Sequence, residues 1–149
     1  MTFVPSRFYC DLCGEVIDTP EDGYVIWKSD KDHHDFGFRV IHNGKCDINH
    51  YPSSKALAEL VGPEGLSYLL SVLAVGSLRA DPDHPTRTQV ANIDEFVDLV
   101  RRLHVPNYEE ARRHFDNGGV HEAMSDANEV YPYTERVLSK IAAGDYDEQ

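Results

Sequence analysis

Three cysteines and one histidine constrain the N-terminal third of this chain more than any other feature. Cys10 and Cys13 form a Cys-x2-Cys pair, and His42 and Cys46 form a His-x3-Cys pair after 28 intervening residues. Thiolate sulfur and imidazole nitrogen are the donors that Zn²⁺ takes in tetrahedral structural sites. A turn-forming glycine follows the first pair and lies inside the second, which suits tight backbone reversals. The pattern predicts one structural zinc ion bound by Cys10, Cys13, His42 and Cys46.

The spacing Cys-x2-Cys-x28-His-x3-Cys resembles the knuckles of zinc-ribbon and treble-clef domains, with histidine in place of one of the usual four cysteines. The resemblance covers about residues 8–50 and concerns a class of domain, not one family. It implies that Cys10, Cys13, His42 and Cys46 are the ligands. Because a second Cys-x2-Cys is missing, the fourth ligand stays open between His42 and His50, which follows Cys46 by four residues.

Three other interpretations of the cysteines remain open. A redox dithiol normally opens a helix after a strand, whereas Val16-Ile17 here indicates a turn into a strand. A disulfide of a secreted protein is disfavoured by the odd cysteine count and by the lack of a signal peptide pattern. The thiols can also be ordinary buried side chains.

The Asn43-Gly44 turn sets a geometric condition on the zinc site. In a regular two-residue hairpin, His42 and Cys46 would point to opposite faces, because side chains alternate along a strand. A shared zinc ion therefore requires this segment to curl as a knuckle.

The charge of the chain bears on its partners and its compartment. The formal charge of −12 is spread over both halves of the 149 residues. Repulsion keeps such a protein away from membranes and bulk nucleic acid, and no apolar window has the length of a membrane span. We expect a cytoplasmic protein without membrane association, in a compartment where thiols stay reduced.

Hydrophobic periodicity predicts an α+β fold, with a small zinc-bound β subdomain at the N-terminus and a mainly helical C-terminal part. Tyr24–Trp27 and Phe36–Ile41 are β-branched and aromatic, which predicts two strands. From Ser53 the period becomes helical. We expect a zinc-bound β-rich subdomain over residues 1–52 and a helical part over 53–149, packed together as one domain.

The helical part supplies the predicted core. A first helix is predicted over Ala56–Val61 with Ser54 as its N-cap, and a very apolar second helix begins at Pro63. The next strongly amphipathic helix contains Phe96. The residues predicted to form one core are Leu66, Leu69, Leu70, Leu73, Phe96, Val100 and Leu103.

Two further groups of residues are candidates for chemistry. The loop Asp30–Asp35 gathers carboxylates and imidazoles, which can bind a second metal or act as acid and base; a solvated loop is the simpler interpretation. Arg101-Arg102 and Arg112-Arg113 place four of the 14 basic residues within thirteen positions. Their guanidinium groups can bind phosphate or carboxylate groups of a partner. The alternative is pairing along helix faces with Asp98, Glu109 and Glu110.

These observations predict a non-catalytic, zinc-stabilised adaptor or regulatory module that binds an unidentified protein partner. A Cys3His set leaves no open coordination position, and no nucleophile elbow or His-Glu-x-x-His motif is present. The predicted partner-binding residues are Arg101, Arg102, Arg112 and Arg113. The first alternative is a transcription-related, zinc-containing nucleic-acid-binding protein, which the acidic charge disfavours. The second is a metal-dependent hydrolase that uses the Asp30–Asp35 loop.

Overall fold

The computed structural model describes residues 7–46, 51–74, 76–78 and 89–146. The described part contains both sheets and helices, which confirms the predicted α+β class. The chain forms two compact units, Met1–His104 and Val105–Gln149, which we call the first and the second unit. The expected division into a subdomain over 1–52 and a helical part over 53–149 stays a prediction.

The described strands all belong to the first unit. They are β1 (Phe8–Tyr9), β2 (Val16–Ile17), β3 (Gly23–Ser29), β4 (Asp35–His42) and β5 (Ser53–Ala56). β1 and β2 form a two-stranded antiparallel ribbon, and β3 lies between β4 and β5 in an antiparallel three-stranded sheet. The strands predicted over Tyr24–Trp27 and Phe36–Ile41 are confirmed within β3 and β4.

The pairing of these strands brings the two cysteine-containing segments together. His42, the last residue of β4, lies opposite Gly23, the first residue of β3. The chain leaves β1 after Tyr9, and the backbone N–H of Asp11 then donates to the carbonyl of Val40 on β4 at 2.7 Å. The turn after β1 and the end of β4 are therefore neighbours.

The helix predicted over Ala56–Val61 with a Ser54 cap is wrong. Ser53–Ala56 is β5, whose residues pair with β3 from Trp27 to Tyr24, and a single 3-10 turn follows over Leu57–Glu59. A run of six residues is too short to form a stable helix by itself. The free edge of β3 offers a full set of backbone hydrogen bonds instead.

Two helices and the sheet build the core of the first unit. They are α1 (Gly62–Leu73) and α2 (Ile93–His104). Phe38 of β4 packs edge-on against Phe96 of α2, with ring centroids 5.5 Å apart. The largest fully buried side chains of this core are Phe8, Ile17, Val25, Val40, Ile41, Leu57, Leu60, Phe96 and Leu103.

The predicted core is correct for most residues and wrong for Leu70. Leu69, Phe96 and Leu103 are buried, and Leu73 and Val100 pack against the same cluster. Leu66 is half-buried and does not belong to this cluster. The side chain of Leu70, by contrast, is 53% exposed. A helix with leucine at several adjacent positions has more than one possible buried face, and tertiary packing selects the one that contains Leu69.

We expect Leu69→Ala to lower the free energy of unfolding by roughly 2–5 kcal/mol, because it leaves a cavity in the core. The matched variant Leu70→Ala, one position along the same helix, should change it by less than about 0.5 kcal/mol. Urea denaturation measures both values. Equal losses for the two variants would contradict this orientation of α1.

The described helices of the second unit are short. They are α3 (Tyr108–Arg112), α4 (Gly118–Ala123) and α5 (Glu135–Ala142), and a 3-10 turn over Tyr131–Tyr133 precedes α5. The Thr134 side chain caps α5 by accepting a hydrogen bond from the Val137 N–H. The core of this unit consists of Tyr108, Ala111, Val120, Val137, Leu138 and Ile141.

Candidate metal centre

The four predicted ligands lie together in the first unit. Their donor atoms, the Sγ atoms of Cys10, Cys13 and Cys46 and a ring nitrogen of His42, are all within 4.8 Å of one another. The His42 Nδ1 atom is 3.4 Å from Cys13 Sγ and 3.7 Å from Cys46 Sγ. A tetrahedral ion with Zn–S near 2.3 Å and Zn–N near 2.1 Å separates sulfur and nitrogen by about 3.6 Å. The group is thus positioned to bind a metal ion.

The first pair of ligands is held by a tight turn between β1 and β2. The Gly14 N–H donates to the Cys10 carbonyl at 2.9 Å, and Gly14 has a φ of +77°, which favours glycine. The backbone N–H groups of Leu12 and Cys13 point at Cys10 Sγ, at 3.4 and 3.5 Å. The turn therefore surrounds the Cys10 sulfur with donors that stabilise a thiolate.

The second pair is held by a curl at the end of β4. Residues 43–46 form turns, the Lys45 N–H donates to the Asn43 carbonyl at 2.9 Å, and Gly44 has a φ of +80°. His42 and Cys46 consequently lie on the same side of the chain. The segment meets the geometric condition that a regular hairpin would have violated.

The imidazole of His42 is oriented by a backbone carbonyl. Its Nε2 atom is 3.0 Å from the carbonyl oxygen of Val16 on β2. A carbonyl only accepts hydrogen bonds, so this contact places the proton on Nε2 and leaves the lone pair of Nδ1 facing the cysteines. Metal-binding histidines commonly donate their second N–H in this way.

The electrostatics of the cluster favour a cation. Burial raises the pKa of the Cys10 thiol, but hydrogen bonds from the backbone N–H groups of Cys13, Leu12 and His42 outweigh it and bring the pKa to about 6. The pKa of Cys46 is raised to about 11 by partial burial and by the neighbouring sulfurs of Cys10 and Cys13. Three adjacent thiolates repel one another, and a bound divalent cation removes that repulsion.

The site lies at the edge of the core. Cys10 is 3% exposed, His42 and Cys46 are half-buried, and Cys13 is exposed. All three cysteines are free thiols. His50, the other predicted candidate for the fourth ligand, lies outside the described residues, so the choice between the two histidines stays a prediction.

A buried ion pair next to the site was not predicted from sequence. Asp11, between the first two cysteines, accepts a hydrogen bond from the Val40 N–H at 2.7 Å and one from Arg102 Nη1 at 2.8 Å. Arg102 Nη2 also donates to the Tyr9 carbonyl at 2.9 Å. The arginine therefore links α2 to the turn that carries Cys10. The partners are 91 residues apart in sequence, and no local pattern indicates such a pair.

This contact corrects the predicted partner-binding set. The Arg102 side chain is 3% exposed, so it is not available to a partner. Arg101 and Arg112 are half-buried and Arg113 is exposed. A role for these three residues in partner binding stays a prediction.

Residues 30–34 of the predicted Asp30–Asp35 loop form the turn between β3 and β4, and Asp35 begins β4. Carboxylate or ring donors of Asp30, Asp32 and His34 also lie within 4.8 Å of one another. The Asp30 carboxylate, however, accepts the backbone N–H groups of Asp32 and His34, both at 2.9 Å. The His34 hydrogen bond is the largest cause of the lowered pKa of Asp30. These hydrogen bonds explain the arrangement as a hairpin turn without any ligand.

No family model, curated protein or solved structure matches this chain. In the described part of the chain, none of the helices combines the length and the apolar character needed to cross a membrane.

Proposed function

We propose that the protein is a non-catalytic adaptor or regulatory module, stabilised by one structural zinc ion, that binds a protein partner. The observation that carries the proposal is the group of four protein donors in which the His42 ring is oriented by the Val16 carbonyl. Three thiolates and one imidazole in a tetrahedral arrangement favour zinc among the common divalent metals. We expect the protein in the cytoplasm, where its thiols stay reduced.

The donor set supports a structural role for the metal. Catalytic zinc ions usually have three protein ligands and an open position for water or substrate, whereas structural ions have four protein ligands. β1 and β2 contain only two residues each, and so short a ribbon has little stability of its own. A metal ion that joins this ribbon to the end of β4 would supply folding free energy. This supports a zinc-bound subdomain of the zinc-ribbon or treble-clef class at the N-terminus.

We propose that the partner contacts the other arginines of the predicted set, Arg101, Arg112 and Arg113. The protein is acidic as a whole, with a formal charge of −12, so the adjacent guanidinium groups of Arg112 and Arg113 are a local concentration of positive charge in the second unit. Arg112 and Arg113 are adjacent at the end of α3, and Arg113 is exposed. Guanidinium groups bind carboxylates with two parallel hydrogen bonds. We therefore expect an acidic segment on the partner.

We expect the double variant Arg112→Ala/Arg113→Ala to lose a partner that wild-type protein captures in its native host, while its melting temperature stays within a few degrees of wild type. The matched control Arg136→Ala/Lys140→Ala removes two charges from exposed positions of α5 and should keep the partner. Affinity capture with mass spectrometry identifies the partner, and thermal unfolding measures stability.

Two results would count against this proposal. If the arginines serve to pair with Glu109 and Glu110, the double variant will be less stable and will still bind the partner. If wild-type protein instead binds RNA or DNA tightly at physiological salt, and the double variant does not, the nucleic-acid alternative replaces the adaptor.

A further inference from the structure

The second unit contains an apolar groove of about 220 Å³. Two of its lining residues, Val120 and Ile141, are buried, 5% and 2% exposed. Phe115 and Met124 are half-buried, and Tyr133 is exposed. The groove therefore reaches from the core of this unit to its surface.

Apolar surface continues along the chain beside the groove. Val130 is 70% exposed and Tyr131 is 45% exposed, and they directly precede the lining residues Pro132 and Tyr133. Single exposed apolar residues are common on protein surfaces. A run of them next to an apolar groove is typical of a site for another molecule.

The size of the groove indicates what kind of molecule it accepts. Pockets for small-molecule ligands usually measure about 300–1,000 Å³, so this groove is small for a cofactor. At about 30 Å³ per water-sized group, it has room for about two aliphatic side chains. Two anchors from one face of an amphipathic helix are a common way to occupy such a groove, and the flexible side chain of Met124 can adapt to them.

The charge of the segment that lines the groove indicates the charge of its partner. Residues 114–135 contain no lysine or arginine, although Arg113 and Arg136 directly flank them. The same stretch includes every lining residue of the groove except Ile141. Its five carboxylates are all exposed: Asp116, Glu122, Asp126, Glu129 and Glu135. Exposed carboxylates on the segment that lines an apolar groove attract cations and repel anionic segments.

We infer that this groove binds an amphipathic helical segment of a partner protein, with two apolar anchor side chains in the groove and lysine or arginine residues that pair with carboxylates of the segment lining it. This surface goes beyond the adaptor function proposed above and does not depend on the metal site. It would engage a basic segment, whereas the arginines of α3 would engage an acidic one.

The test uses the full-length protein and three synthetic peptides of about 14 residues, or about four helical turns. The first has leucines at helical spacing on one face and lysines on the other. The second replaces lysine by glutamate, and the third replaces leucine by alanine. We expect saturable 1:1 binding of the Leu/Lys peptide and at least about tenfold weaker binding of the other two. Fluorescence anisotropy measures affinity, and backbone amide chemical shifts locate the site.

Two variants then distinguish binding in the groove from nonspecific attraction of the peptide to an acidic protein. Met124→Lys fills the groove and should weaken binding of the Leu/Lys peptide more than Ser125→Lys, which adds the same charge at the next, exposed position. We expect the amide shifts to concentrate at Phe115, Val120 and Tyr133. Thermal unfolding checks that both variants are folded, and the three peptides test the inference on wild-type protein in any case.

Several outcomes would overturn the inference. Equal binding of the Leu/Lys and Ala/Lys peptides would mean that only overall charge matters. Amide chemical-shift changes outside the groove, or no binding at millimolar peptide, would show that the groove does not bind such a helix. A dimer in sedimentation experiments that the peptides do not dissociate, with its interface mapped to the groove, would make a second copy of the chain the occupant.

Discussion

Purified wild-type protein is expected to contain one zinc ion per chain, and the Cys10→Ser variant is expected to contain none. Cys10 is the buried ligand, with its thiol pKa lowered to about 6, so its sulfur is the thiolate most readily available to a metal. Structural zinc contributes about 10–16 kcal/mol of binding free energy in small zinc-finger peptides. The variant should therefore lose the folded structure around β1, β2 and the end of β4. Elemental analysis and amide NMR spectra measure the two effects.

Histidine variants provide the controls for the metal site. His42→Ala should release the metal, whereas His34→Ala, in the loop between β3 and β4, should retain it. If His50→Ala releases the metal and His42→Ala does not, the fourth ligand is His50. Native protein that contains no metal and is unaffected by Cys13→Ser would refute the zinc site altogether.

Arg102→Met is expected to lower the free energy of unfolding by roughly 3–5 kcal/mol, because it leaves the Asp11 carboxylate without its cationic partner in a largely buried position. Arg102 is 3% exposed and Asp11 is 18% exposed, so water replaces only part of the lost interaction. The neighbouring variant Arg101→Met removes the same charge from a half-buried position of α2. Its cost should be less than about 1 kcal/mol.

Urea denaturation measures the free energy of unfolding of the two arginine variants and so tests whether Arg102 is buried. If Arg102→Met lowers the free energy of unfolding only slightly, Arg102 is exposed, as the basic cluster predicted from sequence requires. The double variant with Asp11→Asn isolates the pair itself, since the coupling energy is the part of the two losses that does not add. A coupling energy near zero would mean that Arg102 contributes through packing and its hydrogen bond to the Tyr9 carbonyl, and not through Asp11.

Features that depend on short-range chemistry were correctly predicted from the sequence. The turn at Cys10–Gly14 follows from a few adjacent residues. The curl after His42 is a condition of the zinc site that the sequence leaves open, and the structure meets it. The strands β3 and β4 follow from runs of β-branched and aromatic side chains. The ligand spacing was enough to indicate the metal-binding group, although the two turns are joined by a longer-range contact, the hydrogen bond from the Asp11 N–H to the Val40 carbonyl.

Features that depend on contacts between distant segments required the tertiary structure. Ser53–Ala56 became β5 because the edge of β3 was available, and local propensity contains no information about that edge. Leu70 is exposed because α1 turns Leu69 towards the buried core, a choice that several adjacent leucines leave open. Arg102 is buried because Asp11, 91 residues earlier, lies where α2 packs. Chain composition and periodicity specify which residues can be buried or paired, but only the arrangement of the packed elements determines which of them are.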